Sequence, residues 1–395
     1  MAKRNEPVRV PLLDADESYR AAPGVVLAAD TSGADGWAVG WERLRGGRQE
    51  GVDVVTVENG RFAFSVCPTR GMGILDAVFE GVRLGWDSPV AGPVHPAYVH
   101  PDTRGGLGWL DGFSEWFVRC GLAWNGAPSA VGPLHGRIAN LPAEAVTVGF
   151  TPGRNGGLAV HGRVREATLF GANLLLETTL RTAPGADWIT VEDRVTNLSA
   201  QPATMQMLYH INHGPPLLEA DSRIVAPVET LAPRDPGQAD RAKAWDRCLG
   251  PTTGLDEACL YADLRADRRG ETRQLLHNAG RDLAVVQRYR KRSLPAFTLW
   301  KHEAALADGY VVGLEPGANY PNPAPYERAH GRAVRLRPGG TWTAAVTLSV
   351  AQGRKAVDRE VRRVRTLQGK RRPALHLVPQ PDLSPAGDAA AEPPA

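Results

Sequence analysis

Short runs of β-branched and aromatic residues, cut every few positions by turn residues, fill the chain from about residue 22 to 352. Val52 to Val57, Arg61 to Cys67, Leu174 to Arg181, Trp188 to Thr196 and Thr341 to Val350 read as strands bounded by polar punctuation. The 43 Gly and 32 Pro supply turns for many short elements. No segment of helical period interrupts these runs, which excludes a doubly wound βαβ sheet. The expected fold is all-β, a large antiparallel sandwich spanning 22–352, with an N-terminal arm over 1–21. Residues 214–255, rich in Pro, Asp and Ala, read as a long excursion from the sheets. Arg332 to Val350 reads as a hairpin, because two β-rich runs flank Pro338-Gly339-Gly340.

Charge separates the C-terminal part from this body. Residues 354–372 (RKAVDREVRRVRTLQGKRR) carry nine basic and two acidic side chains. Val357, Val361 and Val364 recur there at helical spacing, predicting a basic helical extension over 353–372 docked by one stripe. The segment 373–395, Pro- and Ala-rich, is expected to be disordered. Without the basic stretch the chain holds no positive excess to bind phosphates, so no nucleic-acid partner is expected. The longest nearly apolar run, Leu169 to Leu176, is too short to span a bilayer, and residues 1–17 show no secretory h-region. Cys67, Cys120, Cys248 and Cys259 have neither CxxC pairing nor metal spacing, consistent with reduced thiols in a cytoplasm.

Three places combine residue types that can do chemistry. Leu134-His135-Gly136-Arg137 follows a Gly/Pro loop. Met205 to His213 reads as a strand with Met205, Met207, Tyr209 and Ile211 on one face. Gln206, Leu208, His210 and Asn212 then occupy the other, so His210 lies beside Asn212 and His213 points away. In Gly313-Leu-Glu315-Pro-Gly-Ala-Asn319-Tyr-Pro-Asn322, a carboxylate sits where a strand breaks into a loop. Arg70 and Arg137 could donate hydrogen bonds to a ligand or be surface pairs. Trp109 and Trp300 could stack on a ligand or belong to a core, and Asn319 and Asn322 could bind hydroxyls or shape the loop. Neither His95 nor His100 carries a specific signal.

The succession LHGR, YHINHG, GLEPGANYPN and a PGG turn resembles the galactose mutarotase-like (aldose 1-epimerase) superfamily. More narrowly it is similar to an aldose-epimerase-like branch of it. The branch pattern is matched by Arg70-Gly71-Met72, Gly85-Trp86-Asp87-Ser88-Pro89, Gly108-Trp109-Leu110 to Phe113, Cys120-Gly121-Leu122 and His135 to Ala143. Leu294 to Trp300 resembles a further strand, and the match covers roughly residues 50 to 350. The resemblance implies a β-supersandwich with a small-molecule sugar as substrate and neither metal nor organic cofactor. It implies Glu315 as base, His210 as acid and His135 orienting the sugar, with Arg137, Arg70, Asn212, Asn319 and Trp109 as binding residues. The second motif departs from the classical galactose mutarotases, since His210 stands only two residues before Asn212. Even spacing still keeps both on one face.

Two other function classes fit parts of the pattern. A metal-dependent cupin-type sugar isomerase would use His210, His213 and Glu219, with His135 as a further imidazole. Against it, positions 210 and 213 have opposite strand parity and Pro215-Pro216 intervenes before Glu219. A non-catalytic carbohydrate-binding protein of the same fold would keep the residues without turnover.

Overall fold

The computed structural model describes residues 7–29, 36–153 and 156–391. Among these residues the strands form two large sheets, one of ten and one of fourteen strands, almost wholly antiparallel. The ten-stranded sheet shows the alternation that makes one face a core and the other a wet surface. In Asn173–Thr182 and Trp188–Asn197 every second side chain is buried while the intervening ones are partly or fully exposed. The main core lies between the sheets, where Leu176, Leu180, Val191, Val195 and Val346 meet Phe62, Phe64, Met205, Met207 and Ile211. The Leu169 to Leu176 run opens as an exposed turn, with Leu169 and Phe170 in solvent, and continues as strand Asn173–Thr182.

A buried ion pair ties the sheets together behind the strand that matters most. Arg119, on strand Phe117–Leu122, forms a fork onto Asp193 of the opposite sheet, Nε to Oδ2 at 2.6 Å and Nη2 to Oδ1 at 2.9 Å. The remaining guanidinium donors reach the Gly71 and Met72 carbonyls and Thr178 Oγ1, and the Tyr209 hydroxyl donates to Asp193. A charge pair taken out of water stays favourable only when its hydrogen-bonding capacity is filled in this way.

Several expectations are revised. The runs around Pro338-Gly339-Gly340 do not pair with each other. Val334–Leu336 pairs with Ala203–Met205, whereas Thr341–Gln352 pairs with Trp188–Thr196 and Leu283–Tyr289 in the ten-stranded sheet. The turn therefore carries the chain between sheets, and Asn197 clasps it by exchanging backbone hydrogen bonds with Gly339 and Gly340. From the expected arm, Val8–Asp14 is a strand against Ala145–Phe150, with Leu12 fully buried. The expected basic helix, by contrast, is present: Arg354–Gln368 seats Val357, Val361 and Val364 on Leu275, Ala284 and Val286. Each such valine is worth about 1.5–3 kcal/mol at most. Of the segment expected to be disordered, Ala374–Leu375 adds a short strand to the fourteen-stranded sheet, Ser384 is fully buried and Pro385–Ala391 is helical. Residues 392–395 lie outside the described residues.

Candidate active site

Strand Ala203–His213 runs between Phe117–Leu122 and Val311–Gly317 in the fourteen-stranded sheet. Its pleat works as parity requires. Met205, Met207, Tyr209 and Ile211 enter the main core, while Leu208 joins Trp86, Trp109, Phe113 and Val118 in a second apolar cluster on the other face. His210 and Asn212 share that second face. Asn212 pairs in register with Gly313, and Glu315 lies two residues further along the same neighbouring strand. His210 Nε2 thereby comes to 3.2 Å from Glu315 Oε1.

Gly313 makes this approach possible. A Cβ there would lie 2.4 Å from Glu315 Oε1 and 3.3 Å from His210 Cε1. On its other side, His210 Nδ1 lies 2.6 Å from Asn212 Oδ1, and Asn212 Nδ2 donates to the Glu115 carbonyl at 2.9 Å. An amide oxygen can only accept, so Nδ1 carries the proton and Nε2 of the neutral ring is bare. The Oε1 atom of Glu315 has no other partner in the protein.

Burial dominates the electrostatics. It pushes Glu315 well above the ordinary carboxylate range, with the Glu257 charge adding to the rise and Arg234 opposing it. It also lowers His210 to about 4, against the smaller raising effects of Asn212 and Glu257. Both shifts act against charge, favouring a protonated carboxyl and a neutral imidazole where the two groups face each other.

His135 completes the polar cluster. Its ring centre lies 5.7 Å from that of His210 and 4.7 Å from Trp109, and its Nδ1 is buried without a partner. Burial first, then His210 and Arg234, holds it well below the usual histidine range. The loop needs Gly136: both His135 and Gly136 adopt positive φ, and a Cβ on Gly136 would sit 2.2 Å from the Trp124 carbonyl oxygen.

His135, His210, Glu315 and Trp109 line one cavity of about 710 Å³, within the range of small-molecule sites. Trp109 is fully buried and its indole N–H has no partner in the protein. Phe113 and Trp300 stand edge-on to the His210 ring at 5.0 and 5.2 Å. At the mouth, Arg234 donates to Asp235 at 2.7 Å and to Glu257 at 3.0 Å, and the Trp300 indole donates to Glu257 at 2.6 Å. Burial raises Glu257, but these two donors outweigh it and leave it below the ordinary carboxylate range.

Arg70, Arg137, Asn212 and Asn319 fall outside the cavity lining. Arg70 is fully buried and holds Glu115 at 2.6 Å, with further bonds to the Val94 carbonyl and Asn140. It supports the Glu115–Asn212–His210 chain from behind rather than offering donors to a ligand. Arg137 lines a separate surface concavity with Trp124 and Pro133. Asn319 is consumed by a reciprocal amide pair with Asn125 and by the Tyr320 carbonyl. Asn212 acts through His210. Asn322 lines the cavity, but its amide is already bonded to Glu327, Tyr261 and the Leu383 carbonyl.

The cupin ligand set is not assembled. His213 lies on the core side at 3.5 Å from Trp116 Nε1 and 3.4 Å from Gln287, and the Glu219 carboxylate accepts the Ala279 N–H. Among the described residues, the group with metal-like proximity is instead His330, Asp382 and Asp388. Sequence reading missed Arg234, Asp235 and Glu257 because the excursion and the loop after it show no periodicity. A second concavity of about 740 Å³ lies beneath helix Arg354–Gln368. There Arg61, Arg273 and Arg363 are already engaged by Glu80 or Glu360, and no acid–base pair faces it.

Fold and site together define a galactose mutarotase-like β-supersandwich. The profile of a domain of unknown function, DUF4432, matches residues 49–350, and the chain belongs to that family. A structure from Klebsiella pneumoniae subsp. pneumoniae MGH 78578, named a "putative aldose 1-epimerase", is 31% identical, with TM-score 0.90 over 93% of this chain and 98% of its own. A galactose mutarotase-like protein from Clostridium acetobutylicum shares the fold at 12% identity, with TM-score 0.54 over 80% of this chain and 98% of its own. A galactose 1-epimerase from Lactobacillus acidophilus NCFM does so at 13% identity, with TM-score 0.51 over 80% and 99%. No curated protein sequence matches the chain.

Proposed function

We propose that this protein is an aldose 1-epimerase-like isomerase that interconverts the anomers of a free sugar or sugar derivative by ring opening. The observation that carries the reading is the buried His210–Glu315 pair, 3.2 Å apart, inside a sugar-sized cavity. When a sugar enters between them, the reactive form is the ion-pair isomer of the resting pair. Glu315 takes the proton from the anomeric hydroxyl while His210 Nε2 delivers one to the ring oxygen. The bond between C1 and the ring oxygen breaks, and C1 becomes a carbonyl. The pair is then in its neutral form, which burial favours, so the site is matched to the open-chain intermediate. Rotation about the C1–C2 bond and reversal of both transfers gives the other anomer and restores the starting protonation.

Asn212 holds the imidazole in the tautomer that leaves Nε2 free for this exchange. His135 and the Trp109 indole N–H supply polar contacts to the sugar, and Trp300 and Phe113 offer apolar faces to its C–H surface. Four separate buried thiols suit a reducing cytoplasm.

The test is anomer exchange followed by NMR over a panel of aldoses, deoxy sugars and uronic acids. Acceleration for at least one sugar is expected, reduced by about 10²- to 10⁴-fold in Glu315→Gln. A folded wild type that binds a panel sugar yet never speeds exchange would make the protein a binder instead.

A further inference from the structure

The segment that follows the basic helix does not leave the molecule. Ala374 and Leu375 pair in parallel with Thr230 and Leu231, and the His376 N–H bonds the Leu231 carbonyl. The chain then turns toward the cavity. Leu383 packs on Cys259, Tyr261, Ala296 and Tyr320. Ser384 is fully buried and its hydroxyl donates to the Arg234 carbonyl at 2.9 Å, the residue that anchors the cavity mouth.

Three further ties fix the same stretch. Asn322 Nδ2 donates to the Leu383 carbonyl at 2.8 Å, Arg332 donates to the Asp382 carbonyl at 2.6 Å, and His330 Nε2 faces Asp382 and Asp388 at 3.4 and 3.7 Å. Gly387 permits the tight return, since a Cβ there would lie 2.0 Å from the Gln380 carbonyl oxygen. This path brings Pro385 and Ala386 into the lining of the cavity that holds His210 and Glu315.

We propose that residues 380–390 are a strap forming one wall of the sugar site, and that Pro385 and Ala386 set which sugar substituents the site admits. The proposal rests on the isomerase reading for the identity of the ligand. Neither side chain can hydrogen-bond, so the strap selects by volume and excludes water while the chemistry stays with the strand residues. It accordingly acts on KM and leaves the proton transfers to His210 and Glu315.

Two full-length variants and two readouts test this. Ala386→Leu narrows the cavity and should raise KM for hexoses about tenfold relative to pentoses, with kcat for the smallest accepted sugar retained. The double variant Leu383→Ala, Ser384→Ala removes the packing and the hydroxyl anchor. It should speed thiol labelling of Cys259, mapped by mass spectrometry, while Cys67 and Cys120 stay protected. Burial holds the Cys259 thiol up at about 12, so exposure makes it more reactive.

Unchanged relative KM values in Ala386→Leu, with wild-type turnover present, overturn the specificity role. Unchanged Cys259 labelling overturns the strap as a cover. Wild type inactive on every sugar, but with labelling accelerated in the double variant, sinks the isomerase reading and supports the strap as a wall of this cavity.

Discussion

The floor and the mouth of the cavity hold their charges in opposite ways. At the floor, Arg70 and Glu115 are both fully buried, and their hydrogen bonds run on through the Glu115 carbonyl to Asn212 and His210. At the mouth, Arg234, Asp235 and Glu257 form a similar chain with side chains 31%, 43% and 45% exposed. A charge network sealed from water cannot rearrange without a large penalty, whereas a half-exposed one is screened and exchanges partners with solvent at little cost. The floor is suited to holding His210 in one fixed geometry and the mouth to adjusting to what enters the cavity.

Breaking the floor should have the largest effect. Arg70→Leu strands the Glu115 carboxylate in the interior and is expected to destabilise the fold by about 3–5 kcal/mol, measured by denaturant unfolding. Gly313→Ala should leave stability closer to wild type but push Glu315 away from His210, lowering kcat by about a hundredfold in the NMR exchange assay. Asn212→Ala frees the imidazole to change tautomer, and kcat should fall about ten- to a hundredfold with KM little altered. Asp235→Asn should instead change KM by a few-fold and keep kcat, because it loosens only the mouth; an equal loss in kcat would erase the distinction between the two regions.

A further prediction separates the histidines by pH. Burial lowers His210 to about 4 and His213 to about 3, below the unfolded value near 6.5. Between these values the unfolded chain binds protons that the folded one refuses, so stability falls on acidification from about pH 6.5 toward 3–4. The expected slope is about 1.4 kcal/mol per pH unit for each histidine, and His213→Leu should make the fall shallower without touching the His210–Glu315 pair. Melting temperatures recorded between pH 7 and 4 would check this.

The floor was also the legible half. Residues 205–213 read as one strand, and pleat parity alone decides that His210 and Asn212 share a face while His213 turns away. Glycines whose Cβ would collide, such as Gly136 and Gly313, sit inside the motifs and mark where the backbone must come close. Arg70 misleads because an arginine buried on a distant carboxylate has the same residue type as one free to bind sugar, and Glu115 lies 45 positions away. The Pro-Gly-Gly turn misleads for a related reason. A tight turn is local, but the partner of Val334–Leu336 is Ala203–Met205, chosen by the packing of two sheets. The mouth residues lie in aperiodic loops, where position is set by tertiary contacts that no spacing announces.

The fork between Arg119 and Asp193 has a further consequence for how the molecule opens. It rivets the sheets together behind the site strand, with the Tyr209 hydroxyl as a third arm, so Ala203–His213 has no route to fray by itself. Its amides should exchange with deuterium only when the whole domain unfolds, whereas those of residues 380–390 should exchange through cheap local openings. His210 is therefore held as durably as the fold itself, and loss of its strand on heating should coincide with global melting rather than precede it.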